Sequence, residues 1–476
     1  MTRNASTRRR FLIGTSAGLA AVTAGCSSGG GTTTTTSSSG NSNTNSGTTT
    51  ANTAEVHVMT DYANDAWQSE WENTIKPDFT DNYKPPLNLE FVGLQGESRN
   101  RLNTLLQSGN PPELFSSTIT EVGDLVARGQ TASVTDIVDE FASNNGDVLA
   151  RSTIDVAGDT HKVPHGLYLG GTLNYRQDVY DALGLSVPKT WDELVENAKA
   201  IDEAGGDLEK VRGFAVSAKD SGKAGSDFTN FLYNAAGNFY RYTNEDETEV
   251  EIDFPEEKVK ASLRTMKELA KYSPDPSGLS WASTIQNWVV GRVGQCLMNN
   301  AWLCGVAYAN DIPSVAKATN QALFPKREQS LDPIDRGWAL IDGWTFLSGA
   351  DNPTGAKNLM RTMYGSPSKT AKRNLIEPMR FLPAYENVIE TDAYQSAEIF
   401  QAEDGIFLEK NRHCIENIAP ELGGDRPSTP ASLYAGRFPI DSEMVNAYIV
   451  LDEDLDTVYQ NARQKLKTRL EEGQNL

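Results

Sequence analysis

Glu55-Val56-His57-Val58-Met59-Thr60 begins the stretch that decides the fold, and Trp67, Trp71, Ile75 and Phe79 follow it. Val56 and Val58 alternate as in a short strand, and the next four residues recur at i+4, one face of a helix. Leu87, Leu89 and Phe91 alternate again. Leu102, Leu105 and Leu106 mark a second helix, closed by Gly109-Asn110-Pro111-Pro112. Such alternation predicts an α/β fold with a mostly parallel sheet. The spacing of Trp67 and Trp71 assigns them to the core. Further on, Pro188-Lys189-Thr190-Trp191-Asp192-Glu193 predicts a helix start: Thr190 caps, Glu193 reaches back, and Trp191, Leu194, Ala198 and Ile201 form the apolar face.

The 423 residues from Ala54 onward favour two domains over one. No Pro/Gly-rich linker and no internal repeat divides them. Two lobes that exchange the chain more than once would leave this trace.

Upstream, Thr7-Arg8-Arg9-Arg10-Phe11-Leu12 matches a twin-arginine export signal, with Arg8 and Arg9 as its pair. A small-and-apolar stretch from Ile13 to Ala24 follows, too short to span a bilayer. Thr23-Ala24-Gly25-Cys26 resembles a lipobox, which would make Cys26 the lipidated N-terminus. Gly14-Thr15-Ser16-Ala17-Gly18 fits the nucleophile-elbow pattern, but it lies inside the signal with no strand before it. Residues 1–25 are thus read as signal and 26–53 as a tether. The 27 residues after Cys26 hold ten Thr, seven Ser, five Gly and four Asn, which cannot bury apolar area.

The whole chain carries a formal charge of −21. Without residues 1–25 it keeps 39 basic against 64 acidic residues, a net of −25. That balance disfavours nucleic acid as a partner. It suits a halophile's surface, because the Debye length falls to about 3 Å at 1 M salt. No apolar run reaches 18 residues, which excludes a polytopic membrane protein. Cys296, Cys304 and Cys414 form an odd set without a CxxC, so buried free thiols are the default and one bridge stays open.

Catalytic and metal signals are sparse. His161 and His165 have i,i+4 spacing, but Pro164 disfavours the helix that metal binding there would need. No phosphate-cradling Gly loop follows in the mature chain, and no cofactor or metal is assigned. The many carboxylates single out no pair for glycoside hydrolysis. Eight Trp and sixteen Tyr, several beside Gly or Asn, suit a cleft that stacks sugars.

Several stretches together resemble the extracellular solute-binding proteins of ABC importers, the large carbohydrate-binding, maltose-binding-protein-like family. Leu105-Leu106-Gln107-Ser108-Gly109-Asn110-Pro111-Pro112-Glu113-Leu114 resembles the family's helix, Gly and Pro-Pro-Asp strand. Gly184-Leu185-Ser186-Val187-Pro188-Lys189-Thr190-Trp191-Asp192-Glu193-Leu194 is similar to its most specific signature. Gly291 with Met298-Asn299-Asn300-Ala301-Trp302, and Asp342-Gly343-Trp344 with Asn352-Pro353, resemble two later segments. The chain departs from the family at Leu173-Asn174-Tyr175-Arg176, where Tyr-Tyr-Asn is usual, and near Tyr168, where a carboxylate is frequent.

The resemblance implies a two-lobed periplasmic-binding-protein-like α/β fold, each lobe a mostly parallel sheet flanked by helices, with three hinge crossings. Lobe 1 would comprise 54–167 plus 340–382, and lobe 2 168–339 plus 383–476. It implies a lipid-anchored, monomeric receptor on the outer face of the membrane, binding a carbohydrate by hinge closure and passing it to permease subunits. Implied ligand contacts are Asp61, Tyr62, Tyr168, Asn300, Trp302, Gly343, Trp344 and Tyr434, with Trp302 and Trp344 as stacking plates. Alternatives are a secreted glycoside hydrolase or lyase, a binder of a polyol or sugar phosphate, and a surface adhesion protein. From the net charge, the unfolding midpoint is expected to climb steeply between dilute and molar salt; thermal melts across that range check it, and a flat midpoint contradicts a halophilic surface.

Overall fold

A computed structural model describes residues 54–92, 96–117, 119–151, 154–156, 158–331, 338–418 and 427–476. The export pair Arg8 and Arg9, the lipidation candidate Cys26 and the 26–53 tether lie outside the described residues.

Two sheets organise the chain. The larger has five strands in the order Leu87–Phe91, Val56–Thr60, Leu114–Ser117, Trp338–Phe346 and Val163–Gly170. Val56–Thr60 pairs in parallel with both of its neighbours, as the opening alternation predicts. Trp338–Phe346 runs antiparallel to the strands on either side.

The second sheet places Thr172–Arg176 between Gln295–Leu297 and Thr319–Leu323. These three strands are antiparallel, not mostly parallel. Parallel bridges add the chain at Arg212 and Ala215 beside Val293 and Cys296. The change of sheet falls at Gly171, in the left-handed region at φ +74°. That is a few residues beyond the 167/168 boundary read from the sequence.

The i+4 stripe has a local explanation. A regular α-helix turns about 400° in four residues, so a strict i+4 stripe drifts by about 40° per step. Here the helix passes from Asp65–Glu70 through a π-helical turn, Trp71–Ile75, into Lys76–Tyr83. The wider turn takes up the drift, and Trp67, Trp71, Ile75 and Phe79 all reach the core fully buried. At the other predicted helix, Trp191–Asp202, the Thr190 hydroxyl accepts from the Glu193 amide at 3.3 Å. The Glu193 carboxylate reaches the Lys189 amide at 2.6 Å, one residue before the cap.

Two large apolar clusters form the core, the first of which runs from the first sheet to Cys296 in the second. Val56, Trp67, Trp71, Phe79 and Trp344 belong to one, and Leu173, Trp191, Phe228, Leu263 and Leu466 to the other. The last two helices, Ile440–Ile449 and Leu455–Gln474, pack on Gly222–Asn234 and Glu256–Ala270 beside the second sheet. Cys296, Cys304 and Cys414 are free and buried, which closes the option of a bridge among them. No helix among the described residues is long and apolar enough to cross a membrane.

Candidate functional site

Polar groups converge where the first strand ends. Asp61 follows Val56–Thr60; its amide donates to the Ser116 hydroxyl at 3.0 Å, and that hydroxyl donates to the Asp61 carboxylate at 2.6 Å. Beside it lies Arg380, whose Nε donates to the Tyr168 hydroxyl at 3.1 Å and whose Nη1 donates to Glu377 at 2.7 Å. Glu377 also accepts from the Trp67 indole at 3.0 Å. The guanidinium stands 5.3 Å from the centre of the Trp302 ring and 4.9 Å from that of Phe381. Its Nη2 makes no hydrogen bond among the described residues.

Burial sets the electrostatics. It raises Asp61 above the usual carboxylate range, with the Ser116 hydrogen bond and Arg380 opposing the rise. It pushes Asp342 up to about 7, with buried Lys162 opposing and Asp61 adding to the shift. Lys162 is held by the Ile341 carbonyl at 2.8 Å. His165 is driven down to about 3 by burial, then by Arg380 and Arg373, and is therefore neutral at physiological pH. Its Nδ1 meets the Tyr364 hydroxyl at 2.9 Å, and its buried Nε2 has no hydrogen-bond partner among the described residues.

A second polar group lies across the change of sheet. The Lys223–Asp227 ion pair is fully buried, and the ammonium sits 5.2 Å from the centre of the half-buried Trp281 ring. Asp227, Asn230, Trp281, Met298 and Asn299 line a crevice against Gly171 and Thr172, too narrow for a water molecule.

The residues read from the sequence divide. Asp61, Tyr168 and Trp302 come together around Arg380, each partly exposed. Tyr62 is buried, stacked on Trp67 at 4.8 Å, with its hydroxyl within electrostatic reach of Asp342. Trp344 is fully buried between Tyr62 and Trp71, at 5.4 and 5.8 Å, and its indole donates to Tyr364 at 2.8 Å. It offers no surface to stack a ligand, which corrects the paired-plate expectation. Gly343 answers a packing demand, because a Cβ there would fall 2.1 Å from the Val163 carbonyl oxygen at the bulge in its strand. Asn300 is a buried brace: its side chain accepts from the Leu169 amide at 2.6 Å and donates to the Arg380 carbonyl at 2.9 Å. Tyr434 lies apart, its ring 4.5 Å from the Arg437 guanidinium.

Sequence reasoning missed Arg380, Glu377, Asp342 and Trp281 as site members. Asp342 had left a signal, a carboxylate inside the apolar strand run Ala339-Leu340-Ile341. His161 and His165 do not meet: His161 bonds Thr131 at 3.1 Å, and no metal-holding group of three or more His, Cys, Asp or Glu exists among the described residues.

A family model described as bacterial extracellular solute-binding protein matches residues 77–402, more than half of the chain. The chain belongs to this family. This solute-binding protein is thus a substrate-binding component of an ABC transporter, not an enzyme. It is 22% identical over 403 residues to the ABC transporter periplasmic-binding protein YcjN of Escherichia coli (strain K12), covering 82% of this chain and 86% of the relative. A solute-binding protein from Agrobacterium radiobacter K84, solved in complex with ribitol, superposes with a TM-score of 0.70 at 16% identity, covering 88% of this chain and 99% of that one. Maltose-bound MalE3 of T. maritima gives 0.68 at 17% identity, covering 87% and 99%. Those solved folds are two-lobed, and so is this one.

Two outcomes follow from the burial of these groups. Trp344→Ala is expected to cost about 3–5 kcal/mol of stability, whereas Trp302→Ala melts close to the parent; paired thermal melts distinguish them. Asp342, raised in the folded state, contributes stability that is full below its unfolded pKa of about 3.9. That contribution is lost as pH rises through about 7. Melts of Asp342→Asn are therefore expected to gain on the parent between pH 4 and 7, and parallel pH curves would contradict the shift.

Proposed function

We propose that this protein binds an uncharged polyhydroxylated solute, a sugar or polyol, at the Asp61–Arg380–Trp302 group and hands it to an ABC permease. The observation that carries the reading is Arg380: a half-satisfied guanidinium over an indole, beside a carboxylate. A sugar's C–H face suits the ring, and adjacent hydroxyls suit an acceptor and a donor. Glu377 already pairs with Arg380, and the Asp61 and Asp342 carboxyls crowd Arg380 and Lys162, which disfavours a phosphate or carboxylate ligand there. The ribitol and maltose complexes of the structural relatives agree in kind.

Closure would bring the lobes 54–167 plus 340–382 and 168–339 plus 383–476 together on the ligand. Export through Arg8 and Arg9 and lipidation of Cys26 would hold a monomer at the outer face of the membrane. The acidic surface fits a saline exterior.

A thermal-shift screen of neutral sugars, alditols, sugar phosphates and sugar acids at molar salt tests the solute class, since saturating ligand raises the midpoint by mass action. A neutral polyol or sugar is expected to raise it, and Arg380→Ala to weaken that ligand at least tenfold, about 1.4 kcal/mol. A shift with sugar phosphates alone overturns the reading. The same ligand is expected to lower the radius of gyration, and Cys26→Ser to move the protein from membrane to soluble fraction.

A further inference from the structure

Asn300 is fully buried, so no solute reaches it, yet its side chain bonds directly beside two members of the candidate site. Its Oδ1 accepts from the Leu169 amide at 2.6 Å, and its Nδ2 donates to the Leu167 carbonyl at 3.3 Å. These are the two peptide groups that flank Tyr168. The same Nδ2 donates to the Arg380 carbonyl at 2.9 Å. Trp302 stands two residues along, at the start of the helix Trp302–Ala309. The Asn300 backbone is left-handed at φ +47°, a conformation that asparagine adopts more readily than most side chains.

The turn that presents Arg380 needs such a clamp. The Arg380 amide donates to the Glu377 carbonyl at 3.2 Å, closing the turn Glu377-Pro378-Met379-Arg380. Pro378 suits the second position of a tight turn, but the third, Met379, lies at φ +66°, where glycine is the usual residue. A buried methionine keeps that conformation only where its surroundings over-determine it. Two contacts do so. Asn300 fixes the Arg380 carbonyl, and Gly305 lets the helix Trp302–Ala309 approach so closely that a Cβ there would collide with the Pro378 carbonyl oxygen. Held in this form, the turn sets the guanidinium against Glu377, Tyr168 and the Trp302 ring.

The clamp lies beside the crossing between the sheets. Leu167 exchanges backbone bonds with Leu382 at 2.7 and 3.0 Å, and the chain changes sheet at Gly171, four residues on. Hinge rotation displaces groups at the crossing least, so these bonds persist while the lobes open and close.

We propose that Asn300 is a positioning residue for solute binding: it holds the left-handed turn at Met379, and through it the Arg380 guanidinium, in the orientation that meets the solute. This rests on the solute reading above. Tyr168, Trp302 and Arg380 then form one half of the site, set before any solute enters.

Calorimetry on the full chain at molar salt, with the tightest binder among ribitol, mannitol, galactose and maltose, tests it in a double-mutant cycle with Arg380→Ala. Asn300→Gly keeps the left-handed backbone and removes the three side-chain bonds. It is expected to weaken that solute at least tenfold in the parent. In the Arg380→Ala background the loss is expected to be at most threefold, because the group that Asn300 positions is already gone. Equal losses in both backgrounds mark a merely structural Asn300 and overturn the proposal, as does unchanged affinity in folded Asn300→Gly. Melts accompany each variant. Where Asn300→Gly does not fold, Asn300→Asp, still an acceptor for Leu169 but without the amide donor for Arg380, takes its place under the same outcomes. Failure of all four solutes to bind the folded parent overturns the solute reading itself, and the positioning role with it.

Discussion

The antiparallel pairing of Val163–Gly170 with Trp338–Phe346 is the constraint on which the rest of the structure depends. Between them these two strands and their flanks carry Lys162, His165, Tyr168, Asp342 and Trp344. The pairing tolerates no side chain at Gly343, where the backbone of Val163 comes too close. The bulge between Asp342 and Gly343 re-aims the strand. Asp342 is thereby placed among Lys162, Asp61 and Tyr62, while Trp344 enters the aromatic core. Val163–Gly170 then passes through Gly171 straight into the second sheet, so one strand pair sets both the polar floor and the start of the crossing.

Desolvation governs what that floor can do. Burying several carboxylates together is unfavourable unless cations or hydrogen bonds compensate. Here Arg380 serves Glu377 and Tyr168 at once, and Asn300 holds its backbone carbonyl at 2.9 Å. The result is a rigid guanidinium with one edge already used. Charge-assisted hydrogen bonds hold such a group in one orientation. Membership of a solute-binding family agrees with a role in holding a solute.

The aromatic residues divide by the same logic. Tyr62, Trp67, Trp71 and Trp344 interlock at centroid distances of 4.8 to 6.4 Å and keep their faces for each other. Trp302 and Trp281 keep part of their surface and carry a cation at about the distance that favours a charge over a ring. Ring type alone does not separate these roles.

By itself the amino-acid sequence determined the local features: the Val56–Thr60 and Leu87–Phe91 alternation, the buried stripe from Trp67 to Phe79, the Thr190 cap and the acidic balance. Each depends on neighbours within a turn or two, or on composition, and both are present in the linear chain. It also carried enough joint motif signal for the family. Only the tertiary structure decided that Trp302 lies at the polar group while Trp344 is core, that Asn300 braces a backbone, and that Arg380 and Asp342 join Asp61. The partners that settle these roles are remote in sequence: Trp67 meets Glu377 across 310 positions, and Tyr168 meets Arg380 across 212. Burial and electrostatic environment are set by such encounters, and no local periodicity encodes them.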